Sequence, residues 1–258
     1  MQMDNSPNYS HLPTPRIERV RHELKRRSLV VSGIERVTPG MLRITLSGED
    51  LADFVSLGAD DHIKIFVPGA NGTEERRDYT PRRYDTDARV LALDFALHEA
   101  GPVTAWAMAA SVGDKLEIGG PRGSAVVSGD FTRWLLIGDE TALPAIGRRI
   151  EETPAGHQIT SVAAVTGLDE RQKFRTKAAL TTHWAYRPLD QAHDPSALLA
   201  VVRQVALEPG TFVWIAAEAA VTRAIRTHLV EERGLPLSWL KASGYWVKGK
   251  ADSTEKFE

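Results

Sequence analysis

A change of hydrophobic period near residue 131 constrains every fold open to this chain. Before it, apolar residues come in short runs. Leu29-Val30-Val31 and Met41-Leu42-Arg43-Ile44-Thr45-Leu46 are divided by Thr38-Pro39-Gly40, a hairpin signal. His62-Ile63-Lys64-Ile65-Phe66-Val67 alternates, with His62, Lys64 and Phe66 on one face and Ile63, Ile65 and Val67 on the other. Strands are also predicted over 90–97 and 115–118, with a single helix between them through Trp106-Ala107-Met108-Ala109-Ala110. Many short strands around one helix predict a small antiparallel Greek-key barrel. After residue 131, strands over 134–137, 159–165 and 212–217 alternate with helices over 142–152, 198–205 and 219–233, and Gly244-Tyr245-Trp246-Val247-Lys248-Gly249 closes the series. That alternation predicts a parallel α/β sheet, whose ligands sit at the carboxyl ends of its strands. The expected organisation is an N-terminal arm over 1–26, a β-barrel domain over 27–131 and an α/β domain over 132–258.

Composition narrows the function classes. Lysine and arginine total 32 against 34 acids, a net charge of −2, which gives no drive toward nucleic acid. The absence of cysteine excludes disulfides, cysteine-ligated zinc and a bound iron–sulfur cluster, and fits a reducing compartment. No apolar run is long enough to span a bilayer, and the N-terminus lacks a signal-peptide core. The expectation is a cytoplasmic monomer with no nucleic-acid or membrane partner. Residues 1–15 hold three prolines and read as a loosely docked arm. The basic lead-in Arg16, Arg19, Arg21, Lys25, Arg26 and Arg27 reads as a solvated face, with an arginine on a cofactor phosphate as the rarer alternative.

Arg77-Asp78-Tyr79-Thr80-Pro81-Arg82-Arg83-Tyr84 carries the chemistry. An aromatic ring, a hydroxyl and several guanidinium groups lie within one strand and its turn. A flavin dinucleotide needs a flat apolar neighbour for its ring, a donor at its N5 edge and a positive fork for its pyrophosphate. Strand alternation sends Arg77 and Tyr79 one way and Thr80 the other, so the Thr80 N–H meets the ring edge while Tyr79 covers a face. Pro81 is expected to end the ladder and turn the chain. The helix start at Gly101-Pro102-Val103-Thr104 offers unpaired N–H groups to a pyrophosphate, and Gly119-Gly120-Pro121-Arg122-Gly123-Ser124 allows close backbone approach beside a cation. Each of these has an ordinary structural explanation when taken alone.

Taken in order, RDYTPR, LDFALH, GPVTAWA, GDKLEIGGPRGS, GDETALPAI, WIAAEA and GYWVKG resemble the siderophore-interacting proteins, the flavin-dependent ferric-siderophore reductases of the ferredoxin-reductase superfamily. The resemblance covers about residues 27–250. It implies FAD as cofactor, with Arg77, Tyr79 and Thr80 on the flavin and Arg82 nearby. It implies His98, Val103 and Thr104 along the dinucleotide, Gly119, Arg122, Gly123 and Ser124 at the inner phosphate region, and Trp106 and Thr141 at the periphery. Lys64 and Lys248 are the implied cations for an anionic ferric chelate. Two departures stand out: Ala217 where the family pattern shows glycine, and Lys248 where arginine is common, which keeps charge but loses the planar fork.

The implied reaction passes electrons from NADPH or NADH, or from a ferredoxin, through FAD to a ferric siderophore. It needs no general acid, base, nucleophile or protein-bound metal. The cations Arg171, Lys173, Arg175 and Lys177 suit either the extra phosphate of NADPH or a solvated loop. His11, His22, His157, His193 and His228 read as structural or solvent-facing. The alternatives are a general NAD(P)H-dependent flavin or ferredoxin-type reductase, and a siderophore-binding flavoprotein without turnover.

Overall fold

In chain order the first half runs β1 (Arg16–Arg21), β2 (Arg26–Thr38), β3 (Met41–Ser47), β4 (Ile63–Pro68), β5 (Glu74–Tyr79), β6 (Pro81–Asp85), β7 (Val90–Ala96), helix α1 (Pro102–Ala109), β8 (Lys115–Gly119) and β9 (Gly123–Ser128). The structure, a computed structural model, describes residues 9, 11–69, 73–97, 101–250 and 253–257. Seven of these strands form one antiparallel sheet in the order β5-β4-β8-β2-β3-β7-β6. Its two edge strands are joined by a single residue, Thr80. The sheet must therefore curl until its edges meet, and the Arg77–Tyr84 stretch is the seam of that open barrel. Pro81 does not end the ladder there. It opens β6, a sheet edge, where a residue without an N–H is tolerated.

Period-two alternation fills the barrel. Ile63, Ile65 and Val67 are buried with Leu29, Val31, Ile44, Leu46, Leu91, Leu93, Phe95, Leu116 and Ile118 in one core. Each large aliphatic chain so buried contributes about 1.5–3 kcal/mol relative to exposure. Arg16–Arg21 of the basic lead-in form a strand, β1, that pairs antiparallel with β9 and is mostly exposed. Arg27 lies in β2, is buried, and donates to the Asp50 and Gly120 carbonyls and to Asp53, so it is not part of a solvated face.

The second half runs β10 (Arg133–Gly138), α2 (Leu143–Glu152), β11 (Gln158–Val165), β12 (Ala179–Tyr186), α3 (Ser196–Val202), β13 (Thr211–Glu218), α4 (Ala219–Thr227), β14 (Leu240–Trp246) and β15 (Glu255–Phe257). The sheet order is β12-β11-β10-β13-β14-β15, parallel except for the last pair. The strand β13 is buried throughout, as a central parallel strand should be. The expected helix over 219–233 widens into a π-helical turn at His228–Glu232. A second core, distinct from the barrel's, fills this sheet. Tyr9 docks onto it through Trp239, ring centroids 5.1 Å apart.

Polar contacts lock the two halves together. Arg82 makes a two-point ion pair with Glu151 of α2, both distances 2.7 Å. Arg148 of α2 donates to Ser56 Oγ and O and to the Pro81 carbonyl. Asp60 accepts from the Trp214 indole and pairs with Lys241 at 2.7 Å. Buried charges of this kind persist only when paired, so this seam fixes the relative position of barrel and sheet. Among the described residues, no helix is long and apolar enough to cross a membrane.

Candidate functional site

The strand β5 and the helix α1 meet over the end of the barrel. Tyr79 and Arg77 share a strand face, as the alternation predicts. The Tyr79 ring packs on Phe95 at 4.5 Å, and Phe95 packs in turn on Trp106 of α1 at 6.0 Å. Trp106 is thus a support for Tyr79. Burial pushes the Tyr79 phenol up, so it stays protonated. Arg77 is half-buried; its guanidinium donates to the Arg76 carbonyl at 2.6 Å and reaches Glu75 at 3.3 Å. Thr80 lies at the domain seam, beside Tyr245 of β14.

The N-terminus of α1 is built to receive an anion. Gly101 is its N-cap and Pro102 begins it. Among the described residues no side chain caps it, and no acidic residue stands in its first turn. A Cβ built on Gly101 meets nothing within 4 Å. Val103 and Thr104, whose N–H groups end the helix, are buried. An uncapped, positively polarised end of a helix that packs on β5, the strand carrying Arg77 and Tyr79, fits a flavin dinucleotide. His98 lies outside the described residues.

The Gly119–Ser124 loop divides differently from expectation. Arg122 is exposed, with no ion-pair partner among the described residues. Gly119 faces Phe66, 3.1 Å from where a Cβ would stand, and Gly120 has φ +93°. Gly123 is demanded by strand pairing: its Cβ would fall 2.5 Å from the Val20 carbonyl on β1. The Ser124 hydroxyl is committed inside the protein. It donates to Asp61 at 2.5 Å, accepts from the Leu57 N–H at 3.0 Å and lies 2.8 Å from His22 Nε2. Arg82 is likewise committed to Glu151.

At the carboxyl edge of the α/β sheet the polar groups are mostly paired with one another. Asp139 Oδ1 accepts from the Thr141 N–H and hydroxyl at 2.9 and 2.6 Å. Its Oδ2 accepts from the Glu218 N–H and the Trp246 indole at 3.0 and 2.9 Å. The Glu218 carboxylate caps α4, accepting from Ala220 and Val221. Glu140 makes a two-point pair with Arg187; burial pushes the Glu140 carboxyl up and the guanidinium opposes that. Ala217 is fully buried. The two lysines are not in contact. Lys64 pairs with Asp78 at 3.0 Å on the barrel's outer face. Lys248 donates to the Asp190 carbonyl and meets His193 Nδ1. His193, read as structural or solvent-facing, is exposed but engaged; a partner 55 residues away leaves no local signal in the sequence.

Known proteins match this architecture. The model of the siderophore-interacting FAD-binding domain matches residues 30–76 and 70–125, and that of the siderophore-interacting protein matches residues 131–249. The chain belongs to the siderophore-interacting protein family. It is 33% identical to an NADPH-dependent ferric-chelate reductase of Escherichia coli K12, over 95% of this chain and 99% of the relative. A ferric vibriobactin reductase of Vibrio cholerae is 27% identical, over 83% of this chain and 86% of the relative. A siderophore utilization protein from T. fusca superposes with a TM-score of 0.84 at 33% identity, covering 93% of this chain and 98% of that one. The ferredoxin reductase of carbazole 1,9a-dioxygenase, at 16% identity and a TM-score of 0.65, shares the fold.

Proposed function

We propose that this protein is a cytoplasmic, monomeric, FAD-dependent ferric-siderophore reductase that takes electrons from NADPH or NADH and delivers them to iron held in a siderophore. The uncapped N-terminus of α1, a helix that packs on the strand of Arg77 and Tyr79, is the observation that carries the reading, together with the named activities of the E. coli and V. cholerae relatives. A ferredoxin is the second candidate for the donor.

In this reading Arg77 and the Val103 and Thr104 N–H groups neutralise the pyrophosphate, with His98 along the dinucleotide. Tyr79, held by Phe95 and Trp106, covers one ring face, and Thr80 meets the N5 edge. Arg122 is the cation of its loop, while Gly119, Gly123 and Ser124 shape that loop. Arg82 acts through the seam, and Thr141 through Asp139. When bound, FAD accepts two electrons together and releases them singly. Lys64 and Lys248 raise the local concentration of an anionic chelate by their charge. Ferric iron in hard oxygen ligands is tightly held and ferrous iron is not, so reduction alone loosens the metal and no acid–base residue is required.

Anaerobic mixing of the photoreduced, FAD-loaded protein with a ferric siderophore tests this. The expected result is return of the oxidised flavin spectrum in step with ferrous iron captured by a ferrous-specific chelator. A flavin that stays reduced leaves only a siderophore-binding module.

A further inference from the structure

Lys248 is one of the two lysines that the ferric-siderophore reading gives to the chelate, and the role of its neighbour His193 depends on that reading. The Lys248 ammonium is tethered: Nζ donates to the Asp190 carbonyl at 3.1 Å and to His193 Nδ1 at 2.9 Å. An ammonium carries donors only, so His193 Nδ1 must be the unprotonated acceptor in this arrangement. All three residues are exposed, and the Lys248 N–H is fixed to the buried Glu218 carboxylate at 3.2 Å. The backbone is thus anchored while the ammonium and imidazole heads face solvent.

We propose that His193 is a proton-dependent specificity residue of the chelate site. Neutral, it is the acceptor that orients Lys248. Protonated, it can no longer accept, and it becomes a second cation beside the lysine, favouring anionic over neutral ferric chelates. Imidazole is the side chain that changes charge between about pH 5 and 8. Among the described residues, the charged groups placed beside the pair are Asp190, Asp194 and Glu218. The Asp194 carboxyl is held low by the hydroxyl and N–H of Ser196, to which it is turned.

Calorimetric titration of the oxidised, FAD-loaded protein tests this. The probe is trioxalatochromate(III), an inert trianion whose charge is constant over the range, and the control is a neutral ferric trihydroxamate. The wild-type protein should bind the trianion about five- to tenfold more tightly at about pH 5.5 than at about pH 8, and the neutral chelate equally at both. His193→Asn, which keeps an acceptor near the Nδ1 position but cannot gain a proton, should match wild type at about pH 8 and lose the pH dependence. Retention of the full pH dependence in His193→Asn, or an equal pH dependence for the neutral chelate, overturns the proposal. Lys248→Met separates the two levels. If it leaves trianion binding at about pH 8 unchanged, the assignment of Lys248 fails and the proposal with it. If it weakens binding while His193→Asn keeps the pH slope, the proposal alone fails.

Discussion

Two helix N-termini in this molecule meet opposite surroundings. At α1, Gly101 provides no cap, the first turn has no acid, and open space stands where a Cβ would project. At α4, Glu218 is nine-tenths buried or more and turns its own carboxylate onto the Ala220 and Val221 N–H groups. Nearby Asp139 takes up four more donors at the head of α2. A helix end carries roughly half a positive charge, which an anion neutralises. Among the described residues no side-chain anion caps the barrel helix, whereas at the sheet edge the chain supplies one. The difference suits the two ligands of the proposed reaction. FAD must remain seated through every turnover, whereas a nicotinamide donor must leave each time.

Breaking the barrel side should have the largest effect. Arg77→Ala removes a guanidinium from the phosphate region and should weaken FAD binding about 100-fold, with the affinity for NADP⁺ unchanged, as followed by fluorescence titration. On the sheet side, Glu218→Ala uncaps α4 and strips a buried acceptor from Lys248; denaturant unfolding should show a loss of about 2 kcal/mol. Ser124→Ala should cost about 1 kcal/mol by removing the donor to Asp61, yet leave FAD affinity within about twofold, because its hydroxyl is turned inward. The smallest effect is expected at the docked N-terminal residue. Burial pushes the Tyr9 phenol up to about 12, above its unfolded value. Stability is then intact below about pH 10 and declines as pH rises from there toward about 12. Tyr9→Phe should flatten that decline.

Local periodicity makes much of this legible from residues alone. The strand β13 is a continuous apolar run because both its faces are covered, and β4 alternates because one face is. The edge strand β12 gives no such signal: Ala179-Leu180-Thr181-Thr182-His183-Trp184-Ala185-Tyr186 mixes apolar and polar residues without alternation and is half exposed. The strand β1 is hidden by its arginines, since its pairing to β9 is made by the backbone. In the site, the shared face of Arg77 and Tyr79 follows from two-residue spacing. What spacing cannot carry is the reason for a glycine or serine set by a distant segment. Gly123 answers to Val20 and Ser124 to Asp61 and His22, all far away in sequence, and a phosphate loop is the nearest local explanation for both. The cap of α4 by Glu218 depends on how β13 enters the helix, and the tether of Lys248 by His193 is of the same long-range kind.

Gly101→Asp puts at α1 what Glu218 already provides at α4, a carboxylate at the helix end, in a position with room for it and an ordinary backbone conformation, φ −82°. Titration of wild type and this variant with FAD and with riboflavin isolates the pyrophosphate, which riboflavin lacks. FAD affinity should fall at least about tenfold while riboflavin affinity stays unchanged. Equal FAD affinity in both proteins would contradict the placement of the dinucleotide at this helix.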